Sequence, residues 1–158
     1  MGKKEDKTNV MRILDQKKTA YSHFSYDNTK TNATEVARMI GANENSLYKT
    51  LVTVGKSKEH YVFMIPSNHE LDLKKAAKAV GEKSIEMIPQ KELLGLTGYI
   101  HGGCSPIGMK KQLQTTIHIN AKDFDKILFS AGKVGRQVQV NPNDLAKIIP
   151  LQFCDIIK

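Results

Sequence analysis

The residues best equipped for chemistry lie between Thr97 and Lys111, in the run Thr-Gly-Tyr-Ile-His-Gly-Gly-Cys-Ser-Pro-Ile-Gly-Met-Lys-Lys. Gly98, Gly102, Gly103, Gly108 and Pro106 together exclude a helix or strand interior, because glycine loses more backbone entropy there and proline has no N–H to donate. The segment reads as a shaped loop. Gly102 and Gly103 permit positive φ and bring bare N–H groups close to a ligand; Cys104 and Ser105 follow without bulk, and Pro106 stiffens the exit. The alternative, a tight turn between core strands, needs fewer special residues. Cys104 carries a nucleophilic atom, but a reactive thiol requires a partner that lowers its pKa. His101 is three residues away on the same loop, and nothing in the sequence brings the two together.

The elements that must hold this loop belong to a chain of 158 residues, enough for one domain, residues 1–158, with a core that needs no staples. Hydrophobic residues at 40% and charged residues at 25% exclude disordered and fibrous classes. No stretch approaches the roughly 18 apolar residues of a membrane span. The charged start, Met1 to Lys7, is not a secretory signal, so the expectation is a cytoplasmic protein without a membrane partner. Cys104 and Cys154 have neither metal-clip nor disulfide spacing, and both read as thiols, Cys154 as a small core residue. No metal ligand set and no cofactor motif is present. A net charge of +8 and a pI near 9.4 favour polyanionic partners such as nucleic acid, or serve solubility alone.

Helical spacing of Val10, Ile13 and Leu14 predicts a first helix within Thr8 to Lys18. Tyr21 to Tyr26 alternates as a strand with Ser22, Phe24 and Tyr26 on one face. Asn32 and Glu35 form a capping pair for a helix stopped at Gly41. Thr50 to Val54 and His60 to Ile65 read as a hairpin, with Lys49 at its mouth. Asp72 to Val80 reads as a surface helix, Ser84 to Ile88 as a strand and Gln90 to Leu94 as a short helix. Thr115 to Ile119 alternates as a strand, with His118 on its solvent side. Ile127 to Ser130 and Arg136 to Val140 form two strands around a tight turn, and Asn141-Pro142 opens a last helix ended by Pro150. About seven or eight strands among about five helices predict an α+β fold.

Three ordered blocks carry a resemblance: Tyr48-Lys49-Thr50-Leu51; Gly98-Tyr99-x-x-Gly102-Gly103-x-Ser105-Pro106-x-Gly108 with Lys110-Lys111; and Ser130-Ala131-Gly132-Lys133 with Gly135. Together they resemble the YbaK/EbsC family of trans-editing deacylases, in the prolyl-tRNA synthetase editing-domain superfamily. The resemblance implies a single domain with a mixed, mostly antiparallel sheet curled toward a barrel and surrounded by helices. It implies an enzyme that removes cysteine from tRNA(Pro), with Cys-tRNA(Cys) left open as a further substrate, the substrate's own thiol attacking the ester carbonyl. Aminoacyl-tRNA is then the partner, with prolyl-tRNA synthetase a possible second; no cofactor is implied, and the oligomeric state stays open.

Carried onto this chain, the resemblance makes Lys49 the essential cation at the carbonyl or terminal-adenosine end of the substrate, where its point charge suits an oxyanion. Thr50 orients the same end, and Tyr26 lines the pocket. Gly102, Gly103, Cys104, Ser105 and Pro106 form the loop that cradles the ester, and Ser130 is a pocket serine. Two positions depart from the pattern: Gln137 stands where many members have aspartate, and the loop before the second helix, near Asn32, is short where some have a phenylalanine. Both bear on side-chain recognition. They leave open a deacylase for another small aminoacyl-tRNA such as Ala-tRNA(Pro), and a non-catalytic RNA- or synthetase-binding module.

Overall fold

The computed structural model describes residues 6–158. The reading of the chain start as non-secretory draws on residues 1–5, which lie outside the described residues. Among the described residues no helix is long and apolar enough to cross a membrane.

Helix α1 (Asn9–Gln16) begins where the sequence places it: the Thr8 side chain accepts from Met11 N–H, and Val10, Met11 and Leu14 are buried. Strand β1 (Tyr21–Ser25) follows, then α2 (Ala33–Met39), with the Asn32 side chain accepting from Glu35 N–H. A 3-10 turn at Glu44–Ser46 leads into the hairpin of β2 (Tyr48–Gly55) and β3 (His60–Pro66). Helix α3 (Leu73–Val80) is capped by Asp72 and stopped at Gly81 in the left-handed region. Then come β4 (Ile85–Met87), a 3-10 turn at Gln90–Glu92, α4 (Leu93–Thr97) and the glycine loop. The remainder is β5 (Thr115–His118), a 3-10 turn at Ile119–Asp123, β6 (Ile127–Ser130), β7 (Arg136–Val140), α5 (Pro142–Leu145) and β8 (Leu151–Cys154).

The strands form two sheets, ordered β1-β7-β6 and β4-β2-β3-β5-β8. The first is antiparallel throughout; in the second, β3–β5 and β5–β8 are parallel. An isolated parallel bridge between Leu47 and Leu128 joins them at one edge. This is the α+β architecture expected, with the mixed sheet present as two sheets that meet beside the start of β2.

Position in the larger sheet explains β3. Val62, Phe63, Met64 and Ile65 are all fully buried, because both faces of this central strand are covered. Phe63 and Ile65 pack with Ala76 and Ala77 of α3; Met64 packs with α1 and the smaller sheet; Val62 lies under the glycine loop with Cys104, Met109 and Leu113. Each such side chain stabilises the fold by about 1.5–3 kcal/mol through burial. The loop thus has an apolar underside that fixes its height above β2 and β3.

Two expectations are corrected. His118 is not on a solvent face: it is buried at 8% exposure, and its Nδ1 accepts from Ile156 N–H at 3.3 Å. Strand β5 lies between β3 and β8, so its alternating pattern does not mark a wet side. The segment after Pro150 also forms a strand, β8, which places Cys154 half-buried at a sheet edge, paired with His118.

Candidate active site

A cleft of about 420 Å³ opens where the two sheets meet. Its floor comes from Leu47 to Leu51, its far wall from Tyr26, Ser130 and Gln137, its near rim from Asn32 to Thr34, and its roof from His101, Gly102 and Cys104. The hairpin adds Ser67, because antiparallel pairing sets Tyr48 opposite Pro66, and Ser67 N–H donates to Leu47 C=O at 2.9 Å. Sequence reasoning did not single out Ser67 as a site residue, although the hairpin register brings it there.

Seven of the residues expected at the site line this cleft: Tyr26, Lys49, Thr50, Gly102, Cys104, Ser130 and Gln137. Gly103, Ser105 and Pro106 do not. Gly103 is buried and its N–H donates to Ile100 C=O at 3.0 Å; a Cβ there would lie 3.1 Å from the Val134 backbone nitrogen. Ser105 is fully buried, and its hydroxyl accepts from Ile107 N–H. These three residues shape the loop from beneath. Gly102, at φ +85°, is the glycine that faces the cleft.

Lys49 is half-buried and, among the described residues, forms no ion pair or hydrogen bond through its ammonium. Among the described residues no carboxylate lines the cleft. Cys104 is buried among Val52, Leu93 and Met109, and that desolvation pushes its thiol up to about 12, against a hydrogen bond with Thr97. At neutral pH it is an uncharged thiol, the unreactive form. Burial likewise raises the Tyr26 phenol, opposed by a hydrogen bond from Gln137. Tyr48, also in the cleft, donates its hydroxyl to Asn120 Oδ1 at 2.6 Å, and burial holds its proton firmly.

The far wall is built by strand register. Gln137 on β7 lies between Phe24 of β1 and Ser130 of β6, and Ser130 Oγ accepts from Gly132 N–H at 3.1 Å. Tyr26 is held by its backbone N–H, which donates to Gly135 C=O at 2.9 Å. Gly135 must be glycine there: its φ is +80°, and a Cβ would lie 2.6 Å from Tyr26 C=O. Two buried oxygens at the cleft have no partner among the described residues, Thr50 Oγ1 and Gln137 Oε1.

Every lining residue of this cleft except Tyr26 lies inside the segment that matches the family model for the aminoacyl-tRNA editing domain, residues 27–148. The chain belongs to that family. It is 44% identical over 156 residues to a protein of Enterococcus faecalis described as a candidate Cys-tRNA(Pro)/Cys-tRNA(Cys) deacylase, EbsC, covering 98% of this chain and 95% of the relative. It is 29% identical over 122 residues to a proline–tRNA ligase of Trichlorobacter lovleyi, covering 71% of this chain and 21% of the ligase. Among solved structures, one described as a candidate trans-editing enzyme for prolyl tRNA synthetase superposes with a TM-score of 0.81 at 23% identity, covering 97% of this chain and 99% of that one. That likeness shows that the fold of this editing domain is shared.

Proposed function

We propose that this editing domain acts in trans on mischarged tRNA(Pro), removing cysteine from the terminal ribose with the substrate's own thiol as nucleophile. The whole chain serves as one editing module. The observation that carries the reading is the charge layout of the cleft, which among the described residues has one ammonium, Lys49, no carboxylate, and a Cys104 thiol kept neutral. An aminoacyl ester becomes an oxyanion when attacked, and a half-buried cation with no competing partner among the described residues is the group that favours this change.

The step balances within the substrate. The cysteinyl sulfur bonds to the ester carbonyl carbon, the carbon–oxygen bond to the ribose breaks, and the thiol proton ends on the departing ribose hydroxyl. Lys49 holds the carbonyl oxygen. Gly102 and Thr50 orient the ester, and the roof and far wall limit the side chain to a small one. The substrate class named for the Enterococcus faecalis relative supports this reading at 44% identity. The likeness to a proline–tRNA ligase supports prolyl-tRNA synthetase as a partner supplying tRNA selectivity. A net charge of +8 suits the acceptor stem, and such work belongs to the cytoplasm.

A second reading is hydrolysis of other small aminoacyl esters by water, favoured by the presence of His101 in the roof, where an imidazole could take a proton. Release of amino acid from purified Cys-tRNA(Pro), Ala-tRNA(Pro) and Ser-tRNA(Pro) separates the two. Loss of cysteine alone is expected. Equal loss of alanine or serine would transfer the role to water, and loss from none would leave a binding module.

A further inference from the structure

Gln137 and Thr50 each bring an unpaired buried oxygen to the cleft, and Gln137 is the more deeply buried residue. Its side chain is more than nine-tenths buried at 7% exposure, yet its Oε1 has no hydrogen-bond partner among the described residues. Buried amide oxygens are nearly always paired in folded proteins, so an orphan on a residue that lines a cleft marks a place where a ligand supplies the donor. The amide also lies close enough to the Tyr26 hydroxyl to favour the ionised phenol. The backbone that carries it is held by β7 pairing on both sides.

Charge then selects the donor. Lys49 is the lysine of the cleft, and no acid balances it there. The α-ammonium of an aminoacyl ester avoids that like charge and finds oxygens at the far wall: Gln137 Oε1, with Ser130 Oγ on the neighbouring strand and Tyr26 Oη beside it. An ammonium has three N–H donors and no acceptor, which matches a wall of oxygens. Resting on the deacylase reading of this same site, we infer that Gln137 reads the free α-ammonium of the aminoacyl group, so that N-blocked esters, peptidyl-tRNA among them, are refused. A buried group built to hydrogen-bond a substrate N–H discriminates against an analogue lacking it, because its oxygen is then left unpaired.

The test compares Cys-tRNA(Pro) with 3-mercaptopropionyl-tRNA(Pro), which keeps the thiol and ester and lacks only the amine. Beyond the difference between the two esters in uncatalysed cleavage, wild type should lose about 10- to 100-fold in kcat/KM on the amine-free substrate, the range of a hydrogen bond to a charged group, and every comparison below is made after that correction. Gln137→Leu should erase that difference by slowing only the amine-bearing substrate, and Gln137→Glu, which keeps an acceptor, should restore it. Equal rates on both substrates in the wild type, or equal slowing of both by Gln137→Leu, would overturn the inference. Binding of stable amide-linked analogues of the terminal cysteinyl adenosine, with and without the α-amine, gives the same comparison without turnover. Preference for the amine-bearing analogue with no release from any aminoacyl-tRNA would sink deacylation and leave amine recognition standing. Release without amine preference would do the reverse.

Discussion

Replacing Lys49 by methionine is the sharpest single perturbation, because it removes the charge and retains a flexible apolar stem. If the ammonium sits about 4 Å from the developing oxyanion, an effective dielectric near 20 gives an attraction of about 4 kcal/mol, an upper bound for one contact. Loss of one preformed oxyanion donor costs about 2.7–4 kcal/mol elsewhere, or about 10²- to 10³-fold in kcat. The fold should barely notice. Lys49 has no ion pair or ammonium hydrogen bond to lose, and its strand neighbours Ile65 and Met64 pack without it. A change within about 0.5 kcal/mol corresponds to about 1–2 °C in melting temperature for a chain of this size. Single-turnover release of radiolabelled cysteine, alongside thermal unfolding by circular dichroism, reads both quantities. Lys49→Arg should fall between, since a planar fork does not reproduce a point charge. A kcat within threefold of wild type for Lys49→Met would refute the electrostatic role. A rate lost together with a drop of about 5 °C or more in melting temperature would show that the lysine supports the fold instead.

Two further outcomes follow from buried groups. Cys104→Ala should keep kcat within about threefold and cost about 1 kcal/mol in urea unfolding, because the thiol packs under the loop and titrates only near about 12; a dead Cys104→Ala enzyme that still folds would show the thiol reacts. His118 lies below its ordinary 6.5, chiefly through burial, with Asp155 pulling it up and the His69 and Lys75 charges pushing it down. The native state thus refuses a proton that the unfolded chain accepts, and this contribution, full above pH 6.5, is lost as pH falls below it. The drop in melting temperature from about pH 7.5 to about pH 5.5 should be smaller in His118→Gln than in wild type, and an equal drop would acquit His118.

Much of this was legible in the chain because local rules decided it. Thr8, Asn32, Asp72 and Asn141 cap helices where short polar side chains before an apolar run predict them. The hairpin and the turn around Gly132 are fixed by β-branched runs flanking glycine, and they carry Lys49, Ser130 and Gln137 to one place. What was not legible depends on tertiary neighbours. His118 looks amphipathic until β8 covers it, and β8 is four residues long behind a proline. Which N–H groups of the glycine loop remain available depends on bonds inside the loop. Gly103 donates to Ile100, and no pattern in Gly-Gly-Cys-Ser-Pro announces that. The orphan oxygen of Gln137 likewise depends on tertiary packing, which buries this residue on a strand paired with both β1 and β6.

The three sequence blocks prove to be parts of one object, and this bears on how the cleft selects by size. Gly103 of the loop packs against the backbone of Lys133 and Val134, close enough that a Cβ would meet three of their backbone atoms within 3.1 to 3.3 Å. Gly132, at φ +97°, leaves room for the ring of Tyr99, whose hydroxyl donates to Ile107 C=O across the loop. The glycine loop and the turn after β6 therefore meet backbone to backbone at Gly103, with the Tyr99 ring packed on Gly132. A cleft bounded in that manner resists widening, since packed interiors shift as units rather than stretch. Length of side chain is then decided by the fixed spacing of roof and wall. On the proposed reading, the chemical identity of a small side chain would then be decided by its own capacity to attack the ester, so that size excludes and the substrate's sulfur reacts.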